Sequence, residues 1–421
     1  DGYAAGCYNE NVGAADVDRD GVGEIIGPND THYVVGYHAD GSPLRASSIY
    51  GQIGGVNKPW ARVGVHVDHA VDLIGYADCG VEHRPNMANS APTIADVNGD
   101  GTLEIIIVGN VYNCGTDPYT DLYAMPFIFN ADRTRWQDAT HNWTIIPTPD
   151  GSAAPLSEDW TLIENNVPNP VAADLDGDGL KEILYPSYDG RMHAYWLDKT
   201  EHGNWPFEVY QPAEGFYRFA TEPIVVDLNH DGKAEVIFAS WTQNGSNKPG
   251  KLYIVSWDGN LIQSIDLPRD AADDRGGSLA APTIANIDAD LDLELLVGTI
   301  NRGLVAYDLS DSANARILWG TGRGSYQRTG LAPAPIDNSG SLDASYKLVS
   351  PAQPQPGAAL TYTLVLTNPG PLLSAVRITD TLPLNANFVA GSLTASSGSW
   401  GLNANVLTWT GAVSITRRVT L

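Results

Sequence analysis

The chain has few cysteines, few basic residues and no long apolar run. Its 421 residues include only 3 Cys, and 24 Lys and Arg stand against 50 Asp and Glu, which gives a formal net charge of −26. So acidic a chain is not expected to bind nucleic acid or an anionic membrane surface, because both are held mainly by Lys and Arg. A transmembrane helix needs about 18 or more consecutive apolar residues, and no run of that length occurs. We therefore expect neither nucleic-acid binding nor membrane insertion.

The scarcity of cysteine leaves the disulfide pattern undecided. Cys7, Cys79 and Cys114 allow one disulfide and leave one thiol over, and their spacing matches no zinc site. The chain begins at Asp1 rather than Met, which we interpret as the mark of a processed product. On this basis we expect a secreted or cell-surface protein.

Glycine and proline, in contrast, are abundant. The chain has 43 Gly and 27 Pro, and 43% of its residues are hydrophobic, which argues against intrinsic disorder. Turn formers between short apolar runs are typical of many short strands. We therefore predict an all-β fold.

One acidic pattern recurs five times. Each copy has Asp or Asn at its first and third positions, Asp at the fifth and Glu at the ninth, and four copies have Gly at the sixth. Short apolar runs rich in β-branched residues flank the copies, and such runs predict strands. Each copy therefore predicts a strand, an acidic loop and a second strand. The copies, numbered 1 to 5 below, span residues 16–24, 96–104, 174–182, 227–235 and 286–294.

The spacing of the copies indicates a β-propeller. Successive copies begin 80, 78, 53 and 59 residues apart, so each repeat has room for about four strands, as a propeller blade requires. We predict a propeller of about five to seven blades over residues 1–333, since the two longer intervals have room for unmarked blades. The segment 319–330 is expected to close the ring against the first blade.

The acidic loops are suited to Ca²⁺. This hard cation takes about six to eight oxygen ligands, and carboxylates at alternate positions of a tight loop converge on one point. The EF-hand shares this opening but needs an acid at position 12, where these copies have Gly27, Ile107, Tyr185, Phe238 and Val297. We predict about four to five Ca²⁺ ions. The predicted ligands are Asp16, Asp18, Asp20, Glu24, Asp96, Asn98, Asp100, Glu104, Asp174, Asp176, Asp178, Glu182, Asp227, Asn229, Asp231, Glu235, Asn286, Asp288, Asp290 and Glu294.

An ordinary turn is the alternative interpretation of these loops. Asp, Asn and Gly form turns without any metal, and copy 5 begins with Asn286 and has Leu291 where the other copies have Gly. Copy 5 is therefore expected to bind Ca²⁺ most weakly. The recurrence of the pattern at the same place in five repeats favours metal sites, because clustered carboxylates repel one another without a cation.

The Asp-x-Asp/Asn-x-Asp-Gly-x-x-Glu hairpins resemble the FG-GAP (VCBS-like) repeats of bacterial surface proteins, which are related to the integrin α-chain propeller. The resemblance covers about residues 10–330. It implies that the loops are structural Ca²⁺ sites that stiffen each blade, and that ligands bind to the faces of the propeller. The Phe-Gly and Gly-Ala-Pro parts of the integrin pattern are absent, so an integrin-like ligand site is not expected.

The composition changes near residue 343, after a stretch 334–342 that we interpret as a linker. Alternating segments at 360–366, 375–379 and 405–410 predict a small β-sandwich over residues 343–421. Thr-Asp-Thr-Leu-Pro at 379–383 is the most specific resemblance to the Ig-like conserved repeat of bacterial cell-surface proteins (the domain of unknown function numbered eleven). Such modules are spacers and stalks.

The last strand of the sandwich is predicted to be incomplete. The sequence stops at Leu421, where that strand begins, which is consistent either with ordinary truncation or with an open sheet edge. An open edge accepts a strand from another chain. Assembly into an extracellular filament by strand donation is the corresponding hypothesis.

No catalytic motif is present, so we do not expect an enzyme. The chain has no Gly-x-Ser-x-Gly elbow, phosphate loop or HExxH motif. One polar group between copies 1 and 2 is interpreted as an inter-blade loop rather than a metal site. It comprises His66, Asp68, His69, Asp72, Cys79 and His83.

The predicted function is structural or adhesive, in a Ca²⁺-stiffened propeller followed by an Ig-like module. Its expected partners are further copies of itself or other surface proteins. The alternative is a secreted carbohydrate-binding propeller or polysaccharide lyase, which would expose aromatic side chains to stack on sugar rings. The candidate stacking residues are Trp136, Trp143, Trp160 and Trp205.

Overall fold

The computed structural model describes most of the chain, and its regular structure is nearly all β. The described residues are 11–29, 32–74, 84–112, 123–147, 154–157, 159–163, 166–288, 290–338, 342, 345–351, 353–368, 373–383, 385–413 and 419–420. The helices within them are the short α1 (His69–Ile74), α2 (Trp160–Ile163) and three 3-10 turns at Ser48–Tyr50, Trp60–Arg62 and Pro212–Glu214. None of these is long and apolar enough to cross a membrane. The prediction of an all-β fold is confirmed.

Five antiparallel units follow one another along the first 309 residues, and each contains one copy of the acidic pattern. A separate hairpin, β4–β5, lies between units 1 and 2. The strands are, in unit 1, β1 (Gly13–Ala15), β2 (Glu24–Pro28) and β3 (Val34–Tyr37); in the hairpin, β4 (Gln52–Ile53) and β5 (Val56–Asn57); in unit 2, β6 (Arg84–Asn86), β7 (Thr93–Ala95), β8 (Glu104–Tyr112) and β9 (Tyr123–Phe129); in unit 3, β10 (Val171–Ala173), β11 (Glu182–Pro186), β12 (Arg191–Tyr195) and β13 (Phe207–Glu208); in unit 4, β14 (Arg218–Ala220), β15 (Ile224–Asp227), β16 (Glu235–Thr242), β17 (Lys251–Val255) and β18 (Leu261–Asp266); and in unit 5, β19 (Thr283–Ala285), β20 (Leu293–Thr299) and β21 (Gly303–Leu309).

The acidic loop of every unit joins two strands in the same register. The residue before the loop always pairs with the Glu at position nine, so the hairpins are equivalent. The predicted succession of strand, acidic loop and strand is confirmed in all five copies. The pairs are Ala15–Glu24, Ala95–Glu104, Ala173–Glu182, Val226–Glu235 and Ala285–Glu294.

Successive units pack face to face, because alternate residues of a strand point to opposite sides of its sheet. In β10, Val171 and Ala173 pack with unit 4, whereas Ala172 packs with units 1 and 2. In β15, Val225 packs with unit 3 and its neighbour Val226 packs with unit 5. Both faces of the middle units are therefore buried, which explains why their strands are runs of apolar residues without alternation.

A central segment, residues 316–335, contacts the first strand of the acidic hairpin in several units. Its strand β22 (Arg316–Trp319) pairs with β15 of unit 4. The carbonyl of Gly320 accepts the N–H of Ile284 in unit 5 at 2.9 Å, and the carbonyl of Thr329 accepts the N–H of Ala14 in unit 1 at 2.8 Å. Leu331 then forms a parallel bridge with Ile94 in unit 2. The units are therefore arranged around this segment as blades are around an axis, and the predicted contact with the first blade is present.

The outward faces of units 1 and 5 are exposed. Ile25 of unit 1 is 45% exposed and Leu304 of unit 5 is 68% exposed, although the equivalent faces of the middle units are buried. Within the described ranges these two faces are exposed rather than packed together, so closure of the ring stays a prediction. The number of blades stays a prediction.

The C-terminal part consists of two three-stranded antiparallel sheets with a shared core. Trp409 and Val413 of one sheet pack with Leu366 of the other, as in a β-sandwich. The predicted linker 334–342 contains β23, which pairs with β22. Val419–Thr420 form a short strand that pairs with Leu366 and its neighbour. The strands are β23 (Ile336–Asp337), β24 (Tyr346–Ser350), β25 (Thr361–Leu366), β26 (Leu373–Thr381), β27 (Ser399–Asn403), β28 (Val406–Val413) and β29 (Val419–Thr420).

Candidate metal centres

The Glu at position nine is held inside each loop by a hydrogen bond that is the same in all five copies. One of its carboxylate oxygens, Oε2, accepts the backbone N–H of the residue at position two, which lies seven residues earlier. This bond fixes the carboxylate under the loop instead of leaving it in solvent. The donors are Val17, Val97, Leu175, Leu228 and Ile287, at N–O distances of 3.0, 3.0, 2.6, 2.9 and 2.6 Å.

The other oxygen of this Glu is buried without a hydrogen bond in three copies. Glu24 and Glu182 are fully buried, Glu294 is nearly so, and their Oε1 atoms have no hydrogen-bond partner. Burial raises the pKa of Glu182 to about 9 and that of Glu104 to about 7, since the backbone N–H bond offsets only part of the cost and neighbouring Asp residues add to it. A buried carboxylate without an ion pair either takes up a proton, as the raised pKa indicates, or binds a cation.

The Asp residues at positions one and five shape the turn itself. In copy 3, Asp174 accepts the N–H of Gly179 at 3.0 Å, and Asp178 accepts the N–H of Leu180 at 2.8 Å. Gly179 has a φ of +91°, a backbone conformation that side chains disfavour. Copy 5 lacks this Gly and closes differently, because Asn286 donates its side-chain N–H to the carbonyl of Asp290.

Three loops bring acidic oxygens together. In copies 1, 3 and 5, ligand atoms from three acids lie within 4.8 Å of one another. In copies 2 and 4, where Asn stands at position three, no such three-acid group occurs among the described residues. The groups are Asp18, Asp20 and Glu24; Asp174, Asp176 and Glu182; and Asp288, Asp290 and Glu294.

One further position faces the loops, and the sequence pattern does not reveal it. In unit 5 the position-nine Glu pairs with Asp308 of the next strand. The corresponding residues in units 1 and 3 are His38 and Trp196, which directly follow the last paired residues of β3 and β12. Nδ1 of His38 lies 3.5 Å from Oε1 of Glu24, so His38 joins the copy 1 group. Trp196 donates its indole N–H to Asp176 at 3.0 Å. The only sequence signal that marks this position is the alternation of inward-facing and outward-facing residues along the strands that follow the Glu.

Neighbouring loops touch one another in series. The residue at position four of one loop lies against the position-six carbonyl of the next. Arg19 of copy 1 donates to the carbonyl of Gly101 in copy 2, and a Cβ added to Gly177 of copy 3 would lie 2.5 Å from the carbonyl oxygen of Gly232 in copy 4. The acidic loops of copies 1 to 4 therefore form a row at one end of the inner strands, whereas His230 at position four of copy 4 contacts the carbonyl of Asn314 instead of the loop of copy 5.

The polar group between copies 1 and 2 is a buried ion-pair network. Asp72 accepts two hydrogen bonds from Arg135 at 2.9 and 3.1 Å and lies 3.0 Å from Nδ1 of His66 and 3.2 Å from Nδ1 of His69. Burial raises the pKa of Asp72, but Arg135 and the two histidines outweigh it and hold the pKa well below its usual range. Asp68 lies beside this network, and His83 lies outside the described residues. The arrangement supports the inter-blade interpretation.

Three of the four predicted stacking residues are not exposed. Trp136, Trp143 and Trp205 are buried, which supports their interpretation as packing residues rather than a sugar platform. The side chain of Trp160 lies outside the described residues, as do all three cysteines.

Comparison with protein families identifies one stretch of the chain. Residues 174–238 match the FG-GAP-like repeat family, a stretch that runs from the first residue of copy 3 to just beyond copy 4. No curated protein matches the chain. The match confirms the predicted type of repeat for these two copies.

Similarity to solved structures is weak. The chain aligns over 95% of its length with 91% of a BBS1N chain in complex with ARL6DN at 12% identity and a TM-score of 0.30. It aligns over 69% with 74% of an Aleuria aurantia lectin mutant at 12% identity and a TM-score of 0.29. It aligns over 85% with 53% of the exotype rhamnogalacturonan lyase YesX at 12% identity and a TM-score of 0.31. Similarity at this level assigns neither an activity nor a partner.

Proposed function

We propose that this chain is a Ca²⁺-stabilised β-propeller with an Ig-like C-terminal module, and that its role is structural or adhesive and extracellular. The observation that carries the proposal is the buried Glu carboxylate beneath each acidic loop, one oxygen of which accepts no hydrogen bond in three copies. An ordinary turn has no need of a desolvated acid at its ninth residue. A cation held between this Glu and the loop carboxylates accounts for it.

The donor set fits Ca²⁺ better than a softer metal. All of the loop side chains at positions one, three, five and nine offer oxygen, and Ca²⁺ prefers carboxylate, amide and carbonyl oxygens. In copy 3 the ligands would be Asp174, Asp176, Asp178 and Glu182. The cation would neutralise the clustered charge and stiffen the hairpin, and extracellular Ca²⁺ at about millimolar levels fills even weak sites of this type.

Ca²⁺ binding is tested by thermal unfolding of the whole chain in excess Ca²⁺ and in EGTA. We expect a large rise in Tm with Ca²⁺ and a smaller one with Mg²⁺, because Mg²⁺ dehydrates reluctantly. Glu182→Gln replaces the buried acid with a neutral side chain of similar shape, so its Tm in EGTA should equal or exceed that of the wild type, whereas its Tm in Ca²⁺ should be lower. Glu208→Gln, at an exposed position of the same unit, serves as the control. Equal Tm values in Ca²⁺ and EGTA would show that the loops are ordinary turns.

The structural role is tested by electron microscopy of the same samples. The C-terminal sheet that ends in β29 offers an edge to another strand, and this edge supports the hypothesis of assembly by strand donation. Filaments that form in Ca²⁺ and disappear on addition of EGTA are expected. Isolated particles at all concentrations would shift the proposal towards a monomeric adhesive or glycan-binding role.

A further inference from the structure

A cavity of about 270 Å³ lies at the end of the inner strands opposite the acidic loops. Its wall is formed by residues that lead into β10, β15 and β19 and by Gly322, Arg323 and Arg328 of the central segment. Because three units and the central segment meet there, the cavity lies near the axis about which the units are arranged. None of the predicted Ca²⁺ ligands lines this cavity.

A hydrogen-bonded network makes this wall rigid. The carboxylate of Glu222 accepts the backbone N–H of Arg323 at 2.6 Å and the side-chain N–H of Asn169 at 3.0 Å. Asn169 in turn accepts the N–H of Ala91 at 2.9 Å, and the guanidinium of Arg323 donates to the carbonyl of Pro92. Units 2, 3 and 4 are thereby fixed to the central segment around the cavity.

The cavity is positively charged in a strongly acidic chain. Its lining includes two Arg side chains and one Glu, although the whole chain carries a formal charge of −26. Arg323 is 5% exposed, and its Nε has no hydrogen-bond partner. The guanidinium of Arg328 makes no ion pair or hydrogen bond with any residue of the described ranges. Its Nη1 atom lies close to Gly322, 3.3 Å from the position that a Cβ added to this glycine would occupy. Arg328 is exposed, and the Nη atoms of Arg323 already donate to unit 2. An anionic group at this place would pair with the guanidinium of Arg328 and with the free Nε of Arg323.

The remaining lining combines polar residues, such as Asn11 and Thr221, with apolar ones, and it leaves room for a small molecule. Val167, Ala220 and Leu279 line the cavity, and Leu279 is 43% exposed. The volume is just below the range of roughly 300–1,000 Å³ that is usual for ligand pockets. We propose that this cavity binds a small organic carboxylate, whose charged end pairs with Arg328 and Arg323 and whose apolar body lies against Leu279 and Val167.

Isothermal titration of the whole chain, in excess Ca²⁺ so that the fold is stable, tests this proposal with benzoate, benzamide and sulfate. Benzoate should bind at least about tenfold more tightly than its neutral isostere benzamide, since a charge-assisted hydrogen bond is worth about 1.5–3 kcal/mol. Arg328→Gln should remove this preference. Arg302→Gln, at a surface position where Arg302 pairs with Asp270, should leave benzoate binding unchanged.

Gly322→Ala provides a second variant that keeps the charge. Its added methyl would enter the space beside Nη1 of Arg328, so benzoate should bind at least about threefold more weakly while Tm in Ca²⁺ changes little. Equal binding of benzoate and benzamide, or full benzoate binding by Arg328→Gln, would overturn the proposal. Binding of sulfate as tightly as benzoate would also overturn it, because the cavity would then be a site for inorganic anions. Ca²⁺ binding can fail without affecting any of these outcomes.

Discussion

Contact between neighbouring acidic loops leads to a sharp prediction for Gly177. It occupies position four of copy 3 with a φ of +81°, and an added Cβ would lie 2.5 Å from the carbonyl oxygen of Gly232. Gly99 occupies the same position in copy 2 with a φ of +74°, but its added Cβ would lie 3.8 Å from the carbonyl oxygen of Gly179, which is an ordinary contact. Arg19 in copy 1 has a φ of 64°, so a side chain is compatible with this backbone conformation. The two glycines therefore differ mainly in the space beside them.

The expected magnitudes follow from this difference. The left-handed conformation costs an alanine about 1–2 kcal/mol at either position, and overlap with a backbone carbonyl adds a further ~1–3 kcal/mol at Gly177 alone. Gly177→Ala should therefore lower the free energy of unfolding by clearly more than Gly99→Ala does.

Urea unfolding followed by tryptophan fluorescence, in excess Ca²⁺, measures both variants. Because the overlap pushes copies 3 and 4 apart, Gly177→Ala should also weaken Ca²⁺ binding at two sites, which titration calorimetry would detect. Equal losses of stability for the two variants would refute the argument that the loops are in firm contact.

Two further predictions concern buried charges. Asp72→Asn should lower the free energy of unfolding by about 3–5 kcal/mol, because it leaves the guanidinium of Arg135 buried without its anion. Asp270→Asn, at an exposed ion pair, should lower it by about 1 kcal/mol or less. Chemical denaturation of both variants measures this difference, and similar losses would contradict the prediction. Burial lowers the pKa of His193, but Asp189 and a second carboxylate outweigh it and raise that pKa to about 10. The stability that His193 contributes is therefore complete below its unfolded pKa of about 6.5 and is lost as the pH rises through 10. The Tm difference between wild type and His193→Gln should shrink between pH 7 and 10, and a constant difference would show that His193 is neutral.

The hairpins and their acidic loops could be predicted because their determinants are local. Each loop is nine residues long, and the bond from Leu175 to Glu182 joins residues only seven apart. Alternation, turn residues and the invariant Glu therefore appear together in one short window of sequence. The metal ligands themselves stay a prediction, although the burial of Glu182 agrees with it.

Other features could not be predicted because distant residues create them. His38 and Asp308 face the loops only because a third strand pairs beside the hairpin. The cavity depends on Arg323 reaching the carbonyl of Pro92, which is 231 residues away in the chain.

Local sequence patterns alone predict the repeated unit, the charge clustered in its loops and the change to a different module after the repeats. A short pattern is sufficient for this, because strand and turn propensities and hydrogen bonds act over a few residues. The three-dimensional fold, in contrast, establishes how the units pack around the central segment, which faces stay exposed and where two Arg side chains line one cavity. These features depend on the packing of surfaces from residues far apart in the chain, and the spacing of a motif carries no information about that packing.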